Sequence, residues 1–174
     1  MWLLVLILSI LVIVAFSVFW THFRGAPWVP TPMRTVHTML SIAEVGPEDL
    51  VYDLGCGDGR LIITAARRYG ARAVGVELDP LRYLWCRMLI RLLRLSDRVQ
   101  VVYGDFFNQD LRDADVITCY LLQGTNNKLE GKFRRELASG TRVVSHTFTF
   151  SRLHEVRQQG DARLYIYYPE QADR

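Results

Sequence analysis

Residues 51–60 read Val51-Tyr52-Asp53-Leu54-Gly55-Cys56-Gly57-Asp58-Gly59-Arg60. A short apolar strand is followed by glycines at every second position and then by the start of a helix. Glycine lets the backbone turn tightly and approach a ligand closely, because it has no Cβ. The first N–H groups of a helix lack partners within the helix and attract a carboxylate or a phosphate. The segment therefore predicts a strand–loop–helix unit that holds a ligand at the loop.

The spacing of the glycines distinguishes between two classes of ligand. Dinucleotide-binding loops follow the pattern G-x-G-x-x-G, whose third glycine eases helix packing beside the pyrophosphate. Here the pattern is G-x-G-x-G over Gly55, Gly57 and Gly59, and Arg60 stands where the last dinucleotide glycine would be. Asp53 would repel a pyrophosphate, whereas its carboxylate suits an ammonium group. The loop therefore favours a ligand that carries a positive charge over a dinucleotide.

Acidic residues also mark the ends of the next two predicted strands. Glu77 closes the second strand just before Leu78, and a carboxylate at this place accepts hydrogen bonds from ribose hydroxyls. Asp105 follows the third strand, where it could accept a hydrogen bond from an adenine amino group, and Phe106 could pack on the ring. Together with Asp53, these residues on three successive strand ends predict S-adenosylmethionine (SAM) as the cofactor.

Strands and helices alternate through most of the chain. This alternation with short connections is typical of a doubly wound, mostly parallel α/β sheet of the Rossmann-like kind. We expect one such domain over residues 47–174, closed by a hairpin of residues 152–157 and 162–168. The other predicted strands are residues 50–54, 72–77, 101–103, 116–120 and 141–146, and the predicted helices of the domain are residues 60–69, 80–95 and 126–138.

Residues 2–20 have the composition of a membrane-spanning helix. They contain no charged side chain, begin and end with tryptophan, and would span roughly 29 Å as a helix, about the thickness of a bilayer core. A cleaved signal peptide is the alternative, but no basic side chain precedes the apolar run. Because Arg24 and Arg34 follow the span, the positive-inside rule places the domain in the cytoplasm. Residues 21–46 are predicted to be a linker that includes a short helix at 33–44.

On these motifs the chain resembles the class I SAM-dependent methyltransferases over residues 47–150. Pro30-Thr31-Pro32, the strand Gly140-Thr141-Arg142-Val143-Val144-Ser145-His146 and the apolar N-terminal run also resemble the small membrane-anchored protein-lysine methyltransferases, which include the mitochondrial enzymes for the ATP synthase c-subunit and the adenine nucleotide translocase. The resemblance implies that Thr31 folds back over the cofactor. The expected cofactor-binding residues are Thr31, Asp53, Gly55, Cys56, Gly57, Gly59, Glu77, Leu78, Asp105 and Phe106.

Tyr120 is the candidate for the chemical step. Ligands of open α/β sheets bind beside the topological switch point, here between the first and fourth strands, and Tyr120 ends the fourth strand. Its hydroxyl could orient the acceptor nitrogen, although Tyr120 could also be a packing residue at the sheet end. No convincing general base is present, because His146 on an interior strand and Cys119 are more typical of core residues.

Charge and cysteine content narrow the classes of partner. A net charge of +3 is low for a nucleic-acid-binding domain, so we expect no nucleic-acid partner. The three cysteines form no CxxC or Cys/His cluster, so we expect no metal site and no disulfide framework. A row of arginines at helical spacing indicates either a solvated helix face or a contact with anionic lipid headgroups; its members are Arg87, Arg91, Arg94 and Arg98.

These features predict a single-pass membrane enzyme that methylates a lysine of a membrane-associated protein with SAM. Two alternatives remain open from the residues. The first is a methyltransferase acting on a lipid or another hydrophobic small molecule, for which a membrane anchor is equally useful. The second is a SAM-binding sensor without catalysis.

Overall fold

The computed structural model describes residues 2–5, 8 and 29–169. Residues 2–5 and 8 are helical, with exposed side chains. Within the described residues, no helix combines the length and the apolar character needed to cross a membrane. The predicted span of residues 2–20 lies largely outside the described residues.

A seven-stranded mixed sheet forms the centre of the domain. Its strands are β1 Leu50–Leu54, β2 Arg72–Glu77, β3 Val99–Tyr103, β4 Val116–Cys119, β5 Arg142–His146, β6 His154–Gln159 and β7 Ala162–Ile166. They are ordered β3-β2-β1-β4-β5-β7-β6. The strands β1 to β5 are parallel, whereas β7 runs antiparallel to both β5 and β6. The predicted mostly parallel sheet and the closing hairpin are confirmed.

Within residues 29–169, four α-helices flank this sheet: α1 Met33–Ile42, α2 Arg60–Tyr69, α3 Pro80–Leu92 and α4 Gln123–Glu136. The start of α3 follows the prediction, because the Asp79 carboxylate accepts a hydrogen bond from the Arg82 N–H at 2.9 Å and Pro80 occupies the first turn. This helix ends three residues earlier than the predicted residue 95, since Arg94 adopts a positive φ of 57° that no α-helix continues through.

The two faces of the sheet carry separate hydrophobic cores. Neighbouring residues of one strand alternate between them: Val116 and Val144 face the core beneath α1, α2 and α3, whereas Ile117 and Val143 face the core beneath α4. This alternation is the period-two pattern of a strand buried on both sides. The domain is therefore a three-layer α/β/α sandwich.

Helix α1 belongs to this sandwich although it precedes residue 47, the predicted start of the domain. Its side chains Val36, Met39 and Leu40 are buried. The Arg142 guanidinium, on β5, donates to the Ala43 carbonyl at 2.7 Å and so fixes the end of the helix to the sheet.

The topological switch point lies between β1 and β4, as predicted. From β1 the chain proceeds outward through β2 to β3, and it then returns to β4 on the other side of β1. The connections at the carboxyl ends of β1 and β4 therefore diverge and leave a crevice, which is where open α/β sheets bind ligands.

Candidate active site

The glycine loop after β1 wraps around the end of β2. The Gly55 and Cys56 N–H groups both donate to the Val76 carbonyl, at 2.9 Å and 3.0 Å, and the Gly57 N–H donates to Glu77 Oε2 at 2.8 Å. Gly57 has a φ of 57°, a left-handed conformation that glycine adopts without strain. The loop thus brings the ends of β1 and β2 together at one edge of the sheet.

A cavity of about 420 Å³ opens at this edge, a volume within the range of small-molecule sites. We call it the strand-end cavity. It brings together nearly all the residues that were expected to bind the cofactor or act in catalysis. Its lining includes Thr31, Asp53, Gly55, Cys56, Gly57, Glu77, Leu78, Asp105, Phe106 and Tyr120.

Gly59 is the one expected cofactor residue that does not line the cavity. It caps the N-terminus of α2 with a φ of 79°. A Cβ on Gly59 would collide with the Cys86 sulfur, which belongs to α3. The structure therefore gives this glycine a packing role: it allows the first turn of α2 to approach α3 closely.

Asp53 is a buried residue of the cavity lining, and one hydrogen bond from the described residues reaches its side chain. Thr118 Oγ1, on β4, donates to Asp53 Oδ1 at 2.9 Å. Burial raises the pKa of Asp53 to about 7, against the lowering effect of the Thr118 hydrogen bond, and the nearby charges of Glu77 and Asp58 raise it further. A carboxyl group with such a pKa gains a proton or attracts a cation near neutral pH, so a positively charged ligand group would fit beside it.

Glu77 is held in a fixed orientation by backbone donors on both sides. Its Oε2 accepts from the Gly57 N–H and its Oε1 accepts from the Asp79 N–H, each at 2.8 Å. Because each carboxylate oxygen has two lone pairs, both oxygens can still accept a further hydrogen bond from a ligand.

Arg60 connects the glycine loop to the segment before α1. Its Nη1 donates to the Thr31 carbonyl at 2.8 Å, while its Nε contacts the two Asp58 carboxylate oxygens at 2.9 Å and 3.0 Å. Burial raises the pKa of Asp58, but the hydrogen bonds and charge of Arg60 outweigh it and leave the pKa below its usual value. Residues 29–31 are held in this way at the rim of the cavity. Sequence reasoning missed this role, since Arg60 was noted only as a departure from the dinucleotide pattern.

Other lining residues come after the ends of β4 and β5; they are Tyr120, Leu121, Leu122, Thr125 and Phe148. The Tyr120 ring packs on the His146 ring with their centroids 4.2 Å apart. In the described part of the chain, the Tyr120 hydroxyl has no hydrogen-bond partner and is therefore available to a ligand.

Neither His146 nor Cys119 is placed to act as a base or nucleophile. His146 is buried outside the cavity lining, with its Nδ1 3.4 Å from the Asp161 carbonyl oxygen. Burial raises the pKa of the Cys119 thiol to about 12, so its thiolate is scarcely populated at neutral pH.

Polar side chains of α4 fix the loop that follows β5. Gln123 Nε2 donates to the Thr149 carbonyl at 2.8 Å, and the Glu130 carboxylate accepts from the Arg152 N–H at 2.9 Å. These contacts hold Phe148 at the cavity wall. They join residues more than twenty positions apart, so no local sequence pattern could predict them.

Over the described residues, no group of three His, Cys, Asp or Glu side chains is arranged to hold a metal ion.

Comparison with known proteins assigns this site to a family. The profile of the ANTKMT methyltransferase domain matches residues 53–157, from the aspartate of β1 to the middle of β6. The chain belongs to this methyltransferase family. A protein-lysine N-methyltransferase of Saccharolobus islandicus (strain REY15A) is 47% identical to it over 123 residues, which cover 70% of this chain and 76% of the relative.

Two further comparisons agree on the methyltransferase fold. The adenine nucleotide translocase lysine N-methyltransferase of Mus musculus is 34% identical over 81% of this chain, and the match spans 62% of the mouse protein. The crystal structure of an RNA methyltransferase from Salinibacter ruber, in complex with S-adenosyl-L-homocysteine, superposes with a TM-score of 0.75 at 40% identity, covering 80% of this chain and 92% of that one. The predictions of a Rossmann-like methyltransferase and of SAM as its cofactor are confirmed.

Proposed function

We propose that this methyltransferase transfers a methyl group from SAM to the Nζ of a lysine in a membrane-associated protein. The observation that carries the proposal is the meeting of Asp53, Glu77 and Asp105 in one cavity whose lining also includes Tyr120. The lysine acceptor is supported by the names of the relatives from Saccharolobus islandicus and Mus musculus.

The cofactor is proposed to lie along the carboxyl edge of β1 and β2. Its ammonium group would approach the Asp53 carboxylate, and its ribose hydroxyls would donate to Glu77. Its adenine would lie between Leu78 and Phe106, with the amino group donating to Asp105. This order is supported by the positions of the carboxylates, which follow successive strand ends in the cavity lining. Thr31 would cover the cofactor from the rim, where Arg60 holds it.

The chemical step needs a neutral amine next to the methyl group. When bound, SAM supplies both the methyl group and the sulfonium leaving group. The apolar side chains Leu121, Leu122 and Phe148 line the cavity after β4 and β5, and burial of a lysine against them favours its uncharged form. Lys128, which also lines the cavity, carries a like charge that favours the uncharged form further. The Tyr120 hydroxyl oxygen would accept a hydrogen bond from an N–H of the acceptor amine and so direct the nitrogen lone pair toward the methyl group, and such alignment can contribute about 7–11 kcal/mol to lowering a barrier.

Residues 2–20 are proposed to anchor the enzyme in a membrane, with the domain on the cytoplasmic side. The support is their composition, since the run is uncharged and is followed by Arg24 and Arg34. The described residues 2–5 are helical and apolar, with exposed side chains, which suits insertion into lipid.

An RNA acceptor is the second candidate function, because the Salinibacter ruber structure is described as that of an RNA methyltransferase. The low net charge of +3 favours the protein acceptor over RNA.

One labelling experiment separates these acceptors. The purified full chain is incubated with methyl-labelled SAM and host membranes, and separately with host RNA, and the protein, lipid and RNA fractions are counted. We expect label in protein, recovered as methyllysine after acid hydrolysis. Asp110→Asn, at an exposed surface position, should match the wild type, whereas Glu77→Ala should transfer nothing. Label confined to RNA or to lipid would overturn the lysine assignment.

A further inference from the structure

Helix α3 exposes an apolar face that the fold does not use. Only Cys86 and Ile90 of this helix are buried, and they attach it to the sheet side. The exposed apolar side chains include Leu84 at 55%, Trp85 at 52% and Leu92 at 70% of full exposure. At about 100° per residue, five of them fall within an arc of about 100° nearly opposite the buried residues. We call this set the α3 stripe: Leu81, Leu84, Trp85, Met88 and Leu92.

Basic residues border one side of the α3 stripe, and no acidic residue interrupts it. Arg87 and Arg91 lie beside it on the helix, and Arg94 follows the helix end. All three are exposed. Arg91 and Arg94 form no ion pair with the described residues, and Arg87 contacts only the Tyr83 hydroxyl, at 3.2 Å. Arg98 of the predicted arginine row does not contribute, because its guanidinium donates to the Gly70 carbonyl at 2.6 Å.

Apolar side chains with a tryptophan on one face and arginines beside them are the pattern of a helix that lies in a membrane interface. A water-soluble partner would have to cover five apolar side chains and also supply acidic groups for the arginines. An anionic bilayer supplies both chemistries at once, because acyl chains accept the apolar side chains and headgroups accept the guanidinium groups.

We propose that the α3 stripe inserts into the interfacial layer of an anionic membrane, with Arg87, Arg91 and Arg94 among the headgroups. The N-terminal end of the same helix reaches the strand-end cavity, since Leu78, Asp79 and Arg82 line it. Insertion therefore holds the mouth of the cavity near the headgroups, where the side chains of a membrane protein emerge. The proposed membrane contact involves only described residues. It does not depend on whether residues 2–20 span the bilayer or on which acceptor is methylated.

The three native cysteines are buried, so a cysteine introduced on the surface can be labelled selectively. The test places a nitroxide on Leu84→Cys in the full chain, mixed with vesicles of phosphatidylcholine and phosphatidylglycerol at 3:1. We expect the nitroxide to be relaxed by oxygen, which concentrates in lipid, and protected from a water-soluble nickel chelate. The matched control is Val156→Cys, an exposed position on β6 at the opposite edge of the sheet, where the chelate should dominate. Met88→Cys provides a second site on the stripe if Leu84→Cys does not fold.

The charge contribution is tested by adding Arg87→Glu and Arg91→Glu to the labelled chain. We expect the protection of the nitroxide to fall severalfold, to the level seen with pure phosphatidylcholine vesicles. Accessibility of Leu84→Cys and Met88→Cys to the chelate in anionic vesicles would overturn the proposal. Protection that needs no lipid would also overturn it, because a second copy or another segment of the chain would then cover the stripe.

Discussion

At the scale of one residue, Asp53 shows how folding changes the pKa of a side chain. Its place at the end of β1 could be predicted from the glycine pattern beside it. Its pKa of about 7 could not, because it arises from burial and from the charges of Glu77 and Asp58, which only the folded chain brings close. The hydrogen bond from Arg60 to the Thr31 carbonyl could not be predicted from the sequence either, because it joins residues 29 positions apart.

Replacing Asp53 should stabilise the protein in the absence of cofactor. In the unfolded chain its pKa is near 3.8, so between about pH 4 and pH 7 the folded state holds a proton that the unfolded state has lost, and stability falls as the pH rises through this window. Asp53→Asn keeps a hydrogen-bond acceptor for Thr118 and removes this fall in stability with rising pH. We expect its free energy of unfolding at pH 8 to exceed that of the wild type by up to about 4 kcal/mol. Urea unfolding at pH 4 and pH 8 measures this, and an advantage independent of pH would contradict it.

The Tyr120 hydroxyl should affect turnover and not cofactor binding. A hydrogen bond of the ordinary net strength of about 0.5–1.5 kcal/mol corresponds to a fall in kcat of about 2- to 13-fold for Tyr120→Phe. The SAM dissociation constant should not change, because the ring stays packed on His146. Tyr168→Phe, at an exposed position, is the control for loss of a tyrosine hydroxyl. An unchanged kcat for Tyr120→Phe would remove the hydroxyl from the mechanism.

At the scale of elements, the strand ends were easier to predict than the helix contacts. Gly59 illustrates the difference. Its position in the glycine loop suggested a cofactor contact, yet it serves the packing of α2 against α3 through Cys86. The glycine spacing correctly predicted a turn at Gly59. It could not predict what this turn packs against, because the contacting residue, Cys86, belongs to another helix.

The segment before α1 should depend on Arg60 for its position at the cavity. Arg60→Ala removes the link to Thr31, so we expect the SAM dissociation constant to rise by at least about 10-fold, because a hydrogen bond to a charged group contributes about 1.5–3 kcal/mol. Arg60→Lys should give an intermediate value, because a single ammonium group cannot reproduce the guanidinium fork. Equilibrium binding measures both. Arg112→Ala, which removes an exposed arginine paired with Asp110, should bind like the wild type, and an unchanged affinity in Arg60→Ala would rule out the link.

At the scale of the whole molecule, the alternation of elements predicted the parallel sheet and the switch point between β1 and β4. It did not predict that β7 lies between β5 and β6, because a hairpin can join the sheet edge by either strand. The apolar face of α3 was also missed. Its arginines were noted, but only the structure shows which of its leucines and methionines the fold leaves exposed.

The central claim is that the strand-end cavity holds SAM through Glu77. Calorimetric titration of SAM into the wild type, Glu77→Gln and Asp110→Asn tests it most directly, with thermal unfolding recorded for each protein. We predict that Glu77→Gln binds at least about 10-fold more weakly, because a hydrogen bond to a charged group contributes about 1.5–3 kcal/mol, and that Asp110→Asn binds like the wild type. Wild-type affinity in a folded Glu77→Gln protein would contradict this placement of the cofactor.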